Sequence, residues 1–185
     1  MTDAHNSLVY GHFDFKQESI YDADYKKGVK IIGELEGVWP AGPHAVGIHN
    51  YNDLSHHCEN AGGRWNPKHS KVHGSPDSKH KYAGDLGNIW AKRDGRAYYY
   101  RWESALTLTD YDETILGLPV VLRLGEDDFG HYDNAGPALA CGIIEEVVCA
   151  SDDESAFNDT DNFSESDDHY SSASSQGDSF QGYNY

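Results

Sequence analysis

Short runs of apolar and β-branched residues, with polar residues between them, recur along the first 148 residues of the chain. The segment GVKIIGELEG at residues 28–37 is typical, because Val29, Ile31 and Leu35 would lie on one face of an extended strand. The Asp-Gly pair at residues 94–95, between two such runs, predicts a tight hairpin. The pattern predicts seven strands, at residues 8–17, 28–37, 45–51, 88–91, 97–102, 116–124 and 139–148. Few helix signals separate them, so we expect an all-β sandwich or barrel.

One long stretch interrupts this pattern. Residues 61–88, AGGRWNPKHSKVHGSPDSKHKYAGDLGN, contain too many turn residues for a helix or a strand. Histidine and aspartate at loop spacing are the donors that metal sites use. The sequence therefore predicts a long loop over residues 52–85 that carries candidate metal ligands.

The C-terminal residues differ in composition from the rest. Residues 151–185 contain nine Asp or Glu and no Lys or Arg, among many Ser, Gly and Asn. Such a segment buries too little apolar surface to offset the entropy lost on ordering, and we predict a disordered acidic tail. The predicted organisation is one domain over residues 1–150, followed by this tail over residues 151–185.

Charge narrows the classes of partner. The net charge of −17 argues against binding to nucleic acid, whose phosphates would repel the chain, and against binding to an anionic membrane surface. The first residues, MTDAHNSLVY, have neither the basic nor the apolar region of a signal peptide, and no apolar run is long enough to span a membrane. We therefore expect a cytoplasmic protein.

Four segments resemble the copper/zinc superoxide dismutase family. They are GPHAVGIHNYND at residues 42–53, CENAGGRWNP at residues 58–67, VHGSP with the later GDLGN in the long loop, and LACGIIE at residues 139–145. The resemblance covers most of residues 8–146. It implies an eight-stranded Greek-key β-barrel, an immunoglobulin-like sandwich with long loops.

The resemblance also locates the family's copper site, and most of its ligands are replaced. The four copper-ligand positions hold Gly47, His49, Arg64 and Arg123, of which only His49 is a histidine. The arginine that guides superoxide in the family is replaced by Ala138. Copper redox chemistry needs several imidazoles around an open coordination face, so we expect no copper to be bound.

The zinc site is better preserved. Its four family positions hold Arg64, His73, Tyr82 and Asp85, so two zinc ligands remain. His69 and His80 lie in the same loop and could act as surrogate ligands, because zinc accepts various tetrahedral sets of His and carboxylate. The resemblance therefore implies at most one zinc ion, bound by His73 and Asp85 with these surrogates.

Other positions acquire roles from the same resemblance. Cys58 and Cys141 match the family's intrasubunit disulfide, and Cys149 is expected to be a free thiol. His44 matches a histidine that braces the copper strand. Asp127 lies near an acidic residue that links the two metal sites, and with those ligands gone we expect a solvated loop carboxylate.

The family dimer uses apolar residues just after the late cysteine. This chain places Glu145 and Glu146 there, and these carboxylates would repel each other across a two-fold axis. We therefore expect a monomer or a weak dimer.

Three functions are consistent with these features. The first is a catalytically inactive superoxide dismutase homologue that binds or interferes with a protein partner, which the sequence does not identify. The second is an active or partly active copper/zinc superoxide dismutase in which His44 or His131 replaces a lost ligand. The third is a zinc-binding structural module.

Overall fold

The computed structural model describes residues 9–20, 26–130, 134–147 and the backbone of 172–174. It contains eight strands and one short helix of the 3₁₀ type, Glu59–Ala61. The strands are β1 (Tyr10–Ile20), β2 (Lys26–Glu36), β3 (Gly42–Ile48), β4 (Asp85–Ala91), β5 (Ala97–Glu103), β6 (Pro119–Arg123), β7 (Ala138–Ile143) and β8 (Ser172–Ser174). In the described part of the chain, no helix is long and apolar enough to cross a membrane.

The strands form a single antiparallel sheet in the order β7-β6-β3-β4-β5-β2-β1-β8. Strand β2 lies beside β5 rather than beside β3, which is the crossover of a Greek key. The sheet curls around one core, as expected for this fold class. Seven of its strands come from the predicted domain, and the short β8 is the eighth.

Alternation of burial along the strands explains the core. Phe13 and Phe15 of β1 point inwards and are almost fully buried, and the ring of Phe13 meets that of Tyr99 on β5 edge-on. Val29, Ile31 and Leu35 of β2 are also buried, as their spacing predicted. A second, smaller cluster surrounds the disulfide between Cys58 and Cys141, which is confirmed.

Each predicted strand has a counterpart, with shifted ends. The third strand ends at Ile48 rather than at residue 51, because His49 forms only an isolated bridge to Arg64 before the long loop begins. The tail predicted over residues 151–185 lies outside the described residues, apart from the short strand β8. His131 and Cys149 also lie outside them.

Candidate metal centre

Arg64 lies at the centre of the site. The bridge between His49 and Arg64 brings the loop alongside the end of β3. The Arg64 side chain is 3% exposed, its Nη1 donates to the Val46 carbonyl oxygen at 2.7 Å, and its Nη2 donates to Asp127 Oδ2 at 3.2 Å. The guanidinium is thus a buried, fixed cation, since arginine does not deprotonate in proteins.

Gly47 and Arg64 fit each other closely. A Cβ atom built on Gly47 would lie 1.8 Å from Arg64 Nη1 and 2.6 Å from its Cζ. Any side chain at position 47 would therefore occupy the volume that the guanidinium fills. By the resemblance, position 47 corresponds to the first copper ligand and position 64 to the bridging histidine. In the structure, the Arg64 guanidinium occupies the space beside Gly47.

His73 lies between two carboxylates. Its Nδ1 is 2.9 Å from Asp85 Oδ1, and its Nε2 is 2.8 Å from Asp127 Oδ1. Burial lowers the pKa of His73, but the hydrogen bond to Asp127 and the charge of Asp85 outweigh it, so the pKa is raised above its ordinary 6.5. Both ring nitrogens face anionic acceptors, which is the environment of an imidazolium.

The second carboxylate oxygen of Asp85 is also hydrogen-bonded within the protein, and the Asp85 side chain is fully buried. Asp85 Oδ2 accepts hydrogen bonds from the backbone N–H of Gly74 at 3.1 Å and of Tyr82 at 2.8 Å. The loop therefore folds around this carboxylate. Tyr82 contributes its backbone here, and its ring lies 5.9 Å from the His73 ring.

Asp127 is buried, and the expectation of a solvated carboxylate is wrong. Its side chain is 3% exposed and accepts hydrogen bonds from Arg64, His73 and the backbone N–H of Phe129. The Asn88 amide holds its backbone, donating to the carbonyl at 2.9 Å and accepting from the N–H at 2.8 Å. Metal ions are not the only cations that can compensate a buried carboxylate, and here Arg64 and His73 do so.

These four side chains balance their charges. With His73 protonated, Arg64 and His73 contribute two positive charges, and Asp85 and Asp127 contribute two negative ones. Burying a charge without a partner is costly, whereas a paired and hydrogen-bonded group is tolerated. In that protonation state the four side chains are neutral as a group, and we call these residues the ionic cluster.

The ionic cluster does not fit a zinc ion. The two carboxylates lie on opposite ring nitrogens of His73, so the three side chains do not converge on one point. Among the described residues, no group of three or more His, Cys, Asp or Glu is placed to hold a metal. His69 and His80, the surrogate ligands suggested by the sequence, are both exposed.

The copper side does not fit its metal either. His49 is buried, and its Nδ1 lies 2.6 Å from the Gly62 carbonyl oxygen. Arg123 donates to the Gly136 carbonyl oxygen at 2.9 Å and lies 3.8 Å from Glu59. His44 lies between two backbone carbonyl oxygens, which agrees with its expected bracing role. One imidazole and one buried guanidinium are not the ligand set of a redox copper.

Two ion pairs that the sequence analysis missed tie the loop to β5. Lys81 Nζ lies 2.7 Å from Glu103 Oε2, and Arg101 Nη2 lies 2.6 Å from Asp77 Oδ1. Arg101 Nε also pairs with Glu103. These pairs join residues 22 and 24 positions apart, and neither spacing leaves a local pattern in the sequence. They hold the loop that carries His73 against the sheet.

Comparisons with known proteins agree with the fold and the motifs. The family model for copper/zinc superoxide dismutase matches residues 9–144. Superoxide dismutase [Cu-Zn] 5 of Dictyostelium discoideum is 34% identical over 144 residues, covering 74% of this chain and 90% of that protein. The human copper chaperone for superoxide dismutase is 35% identical over 122 residues, covering 62% of this chain, and this chain spans only 42% of its length. The crystal structure of the clock protein EA4 superposes with a TM-score of 0.59 at 25% identity, covering 77% of this chain and 96% of that one.

Proposed function

The chain belongs to the copper/zinc superoxide dismutase family, and we propose that within it this protein is a catalytically inactive member that acts by binding another protein. One observation carries the proposal. The Arg64 guanidinium fills the space over Gly47, so a cation of the protein itself lies where the resemblance places copper. Arg123 stands at another of the family's copper-ligand positions, and its guanidinium donates a hydrogen bond to the Gly136 carbonyl oxygen.

Dismutation requires a copper ion that alternates between two oxidation states while superoxide approaches an open face. The described residues supply His49 alone from the family's copper ligands, and Ala138 in place of the guiding arginine. A copper ion at this place would also lie beside the permanent charge of Arg64, which opposes its binding. The missing histidine ligands and the buried cation of Arg64 both oppose copper binding.

The ionic cluster can hold the long loop in place without a zinc ion. By the resemblance, His73 and Asp85 stand at positions where the family has zinc ligands. Here they bind each other, and the positive charge that zinc would supply comes from His73 and Arg64. We therefore expect the purified protein to hold neither zinc nor copper in stoichiometric amounts.

A binding role agrees with the relatives that match the chain. They include proteins named superoxide dismutases and proteins named copper chaperones for superoxide dismutase. We propose that the partner is a cytoplasmic protein and that the β-barrel serves as its docking scaffold. The strong net negative charge of −17 favours a basic surface on that partner.

The test is the metal content and the activity of the full chain. The protein is incubated with copper and zinc, dialysed thoroughly and measured by elemental analysis and by superoxide consumption. We expect far less than one metal ion per chain and no activity. One tightly held copper per chain, with activity that His49→Ala abolishes, would overturn the proposal, and one zinc lost in His73→Ala would overturn its metal-free part.

A reconstruction gives the matched positive control. Gly47→His, Arg64→His and Arg123→His together restore the family's copper residues. This triple variant should take up copper under the same conditions, and it shows that the assay can detect a working site. Arg96→His, on an exposed arginine outside the site, controls for a histidine gained at random.

A further inference from the structure

The long loop between β3 and β4 contains a basic stretch, in a chain that is strongly acidic. Residues 65–84 include four lysines and one aspartate, a net charge of +3 against −17 for the whole chain. Two of these charged groups, Lys81 and Asp77, are paired with side chains of β5. The other three are exposed, and they are Lys68, Lys71 and Lys79.

Lys71 and Lys79 are the part of this charge that no neighbouring carboxylate offsets. Lys68 lies 3.5 Å from Glu113, whereas neither Lys71 nor Lys79 forms an ion pair with any of the described residues. The loop folds back on itself between them, because a Cβ atom built on Gly74 would lie only 3.1 Å from the carbonyl oxygen of His80. The two lysines therefore belong to one region of the loop, and we call them the basic surface.

Residues 151–171 carry the opposite charge. This segment lies outside the described residues, and its sequence contains eight Asp or Glu and no Lys or Arg. The described residues on both sides of it show where it begins and ends, since β7 ends at Ile143 before it and β8 starts at Ser172 after it. The position of these two strands therefore limits which surfaces the acidic segment can reach.

Strand direction places both ends of the segment at the same end of the sheet as the basic surface. The antiparallel order makes β1, β3, β5 and β7 run one way and β2, β4, β6 and β8 the other. The long loop leaves the end of β3 and returns at the start of β4. The acidic segment follows the end of β7, and it enters β8 at Ser172, opposite Lys16, from the direction of Ile20. All four of these strand ends lie at one end of the sheet.

The chain between β7 and β8 is long enough to extend across this end of the sheet. In a flat sheet, β7 and β8 would be seven strand spacings apart, about 34 Å, with β3 and β4 between them. The 28 residues from 144 to 171 can extend to about 90 Å, and an unstructured chain of this length spans about 30 Å on average. The acidic segment can therefore reach the basic surface without leaving β8.

We propose that residues 151–171 bind the basic surface of the same chain, with their carboxylates paired to Lys71 and Lys79. Attachment at both ends keeps the carboxylates at an effective concentration of about millimolar or higher. Exposed ion pairs that are weak singly are then formed together. Backbone pairing of Ser172–Ser174 with β1 holds the far end of the segment in place.

This binding would regulate access to the acidic segment. A partner with a basic surface would compete with Lys71 and Lys79 for the same carboxylates, so the loop would weaken the binding of any partner that the segment attracts. The proposal stands apart from the proposed function, because it requires neither a partner nor the absence of metal.

Cross-linking of carboxylates directly to amines in the full chain, followed by mass spectrometry, tests the contact. An equal mixture of isotope-labelled and unlabelled chain distinguishes links within one copy from links between copies. At low salt we expect links from residues 151–171 to Lys71 and Lys79 within one copy. We expect them to be largely lost in about 0.5 M NaCl, which screens exposed charges.

Two other lysines calibrate this experiment. Lys92 is the matched control, because it is exposed in the turn between β4 and β5 at the opposite end of the sheet. Links from the acidic segment to Lys92 should be at least about fivefold fewer than those to the basic surface. Lys30 lies 2.7 Å from Glu18, so a link between these two residues shows that the reagent captures a known ion pair.

Proteolysis gives an independent readout of the same binding. Chymotrypsin cleaves after Phe157 and Phe163 of the acidic segment, and binding to the loop should slow this cleavage. Lys71→Glu combined with Lys79→Glu should speed it by about fivefold, and Lys92→Glu should leave it unchanged. Circular dichroism establishes that each variant is folded. Links spread evenly over the three lysines, links only between copies, or cleavage unaffected by the double reversal would each overturn the proposal.

Discussion

Replacing Gly47 by alanine tests the central feature of the site. The added methyl group would lie 1.8 Å from Arg64 Nη1, far inside any contact distance. The guanidinium cannot move aside freely, because it is buried and bound to Val46 and Asp127. Gly47→Ala therefore forces Arg64 to give up at least one of these hydrogen bonds or the sheet to shift.

The expected cost follows from these contacts. Overpacking by one methyl group costs typically about 1–3 kcal/mol, and a hydrogen bond from a charged donor contributes about 1.5–3 kcal/mol. Alanine loses less conformational entropy than glycine on folding, which offsets about 0.5–1 kcal/mol. We expect Gly47→Ala to lower the free energy of unfolding by about 3 kcal/mol.

The assay is urea unfolding of the full chain at neutral pH without reductant. Gly63→Ala is the matched control, because a Cβ there meets only Asn50 Nδ2, at 3.8 Å. Arg64→Ala alone should be destabilising by about 3–5 kcal/mol, since it leaves Asp127 buried with less compensation. Adding Gly47→Ala to Arg64→Ala should cost almost nothing. If the two substitutions are additive, or if Gly47→Ala costs no more than Gly63→Ala, the steric argument is refuted.

Two further predictions concern the ionic cluster and the disulfide. The raised pKa of His73 means that its contribution to stability is complete below the unfolded-state value of about 6.5 and is lost as pH rises through the higher folded-state value. The stability advantage of the wild type over His73→Gln, measured by urea unfolding between pH 5.5 and 9, should therefore shrink as pH rises, and a difference independent of pH would contradict the imidazolium. The Cys58–Cys141 disulfide spans 83 residues, so removing it as Cys58→Ser with Cys141→Ser should cost about 4.5 kcal/mol in the chain-entropy model. A loss below about 1 kcal/mol would show that the chain-entropy model does not describe this bond.

The strands were predictable because their signal is local. Inward positions such as Val29 and Ile31 alternate with polar ones, and this alternation needs no knowledge of the partner strand. The disulfide was predictable for a different reason, since Cys58 and Cys141 sit in segments that resemble a known family. Strand ends were less predictable, as the shift at His49 shows, because they depend on where a distant loop bridges back.

The ionic cluster could not be predicted in the same way. Arg64 and Asp127 are 63 positions apart, and their pairing depends on how the long loop folds over β3. The sequence alone identifies Gly47 and Arg64 as two separate replacements of expected metal ligands. Only the structure shows that they are complementary, because the volume freed at Gly47 is the volume that the guanidinium occupies.

This complementarity bears on how readily the family's copper residues could be restored by mutation. Arg64→His alone removes the cation that pairs with Asp127, and Gly47→His alone collides with the guanidinium. Each single reversal is therefore destabilising before any ligand set is complete, and Arg123 must change as well. The four-charge cluster thus maintains the present state of the site through folding stability. Under the proposed function, an energetic barrier of this kind accounts for a chain that keeps the fold, the disulfide and the loop without the family's copper ligands.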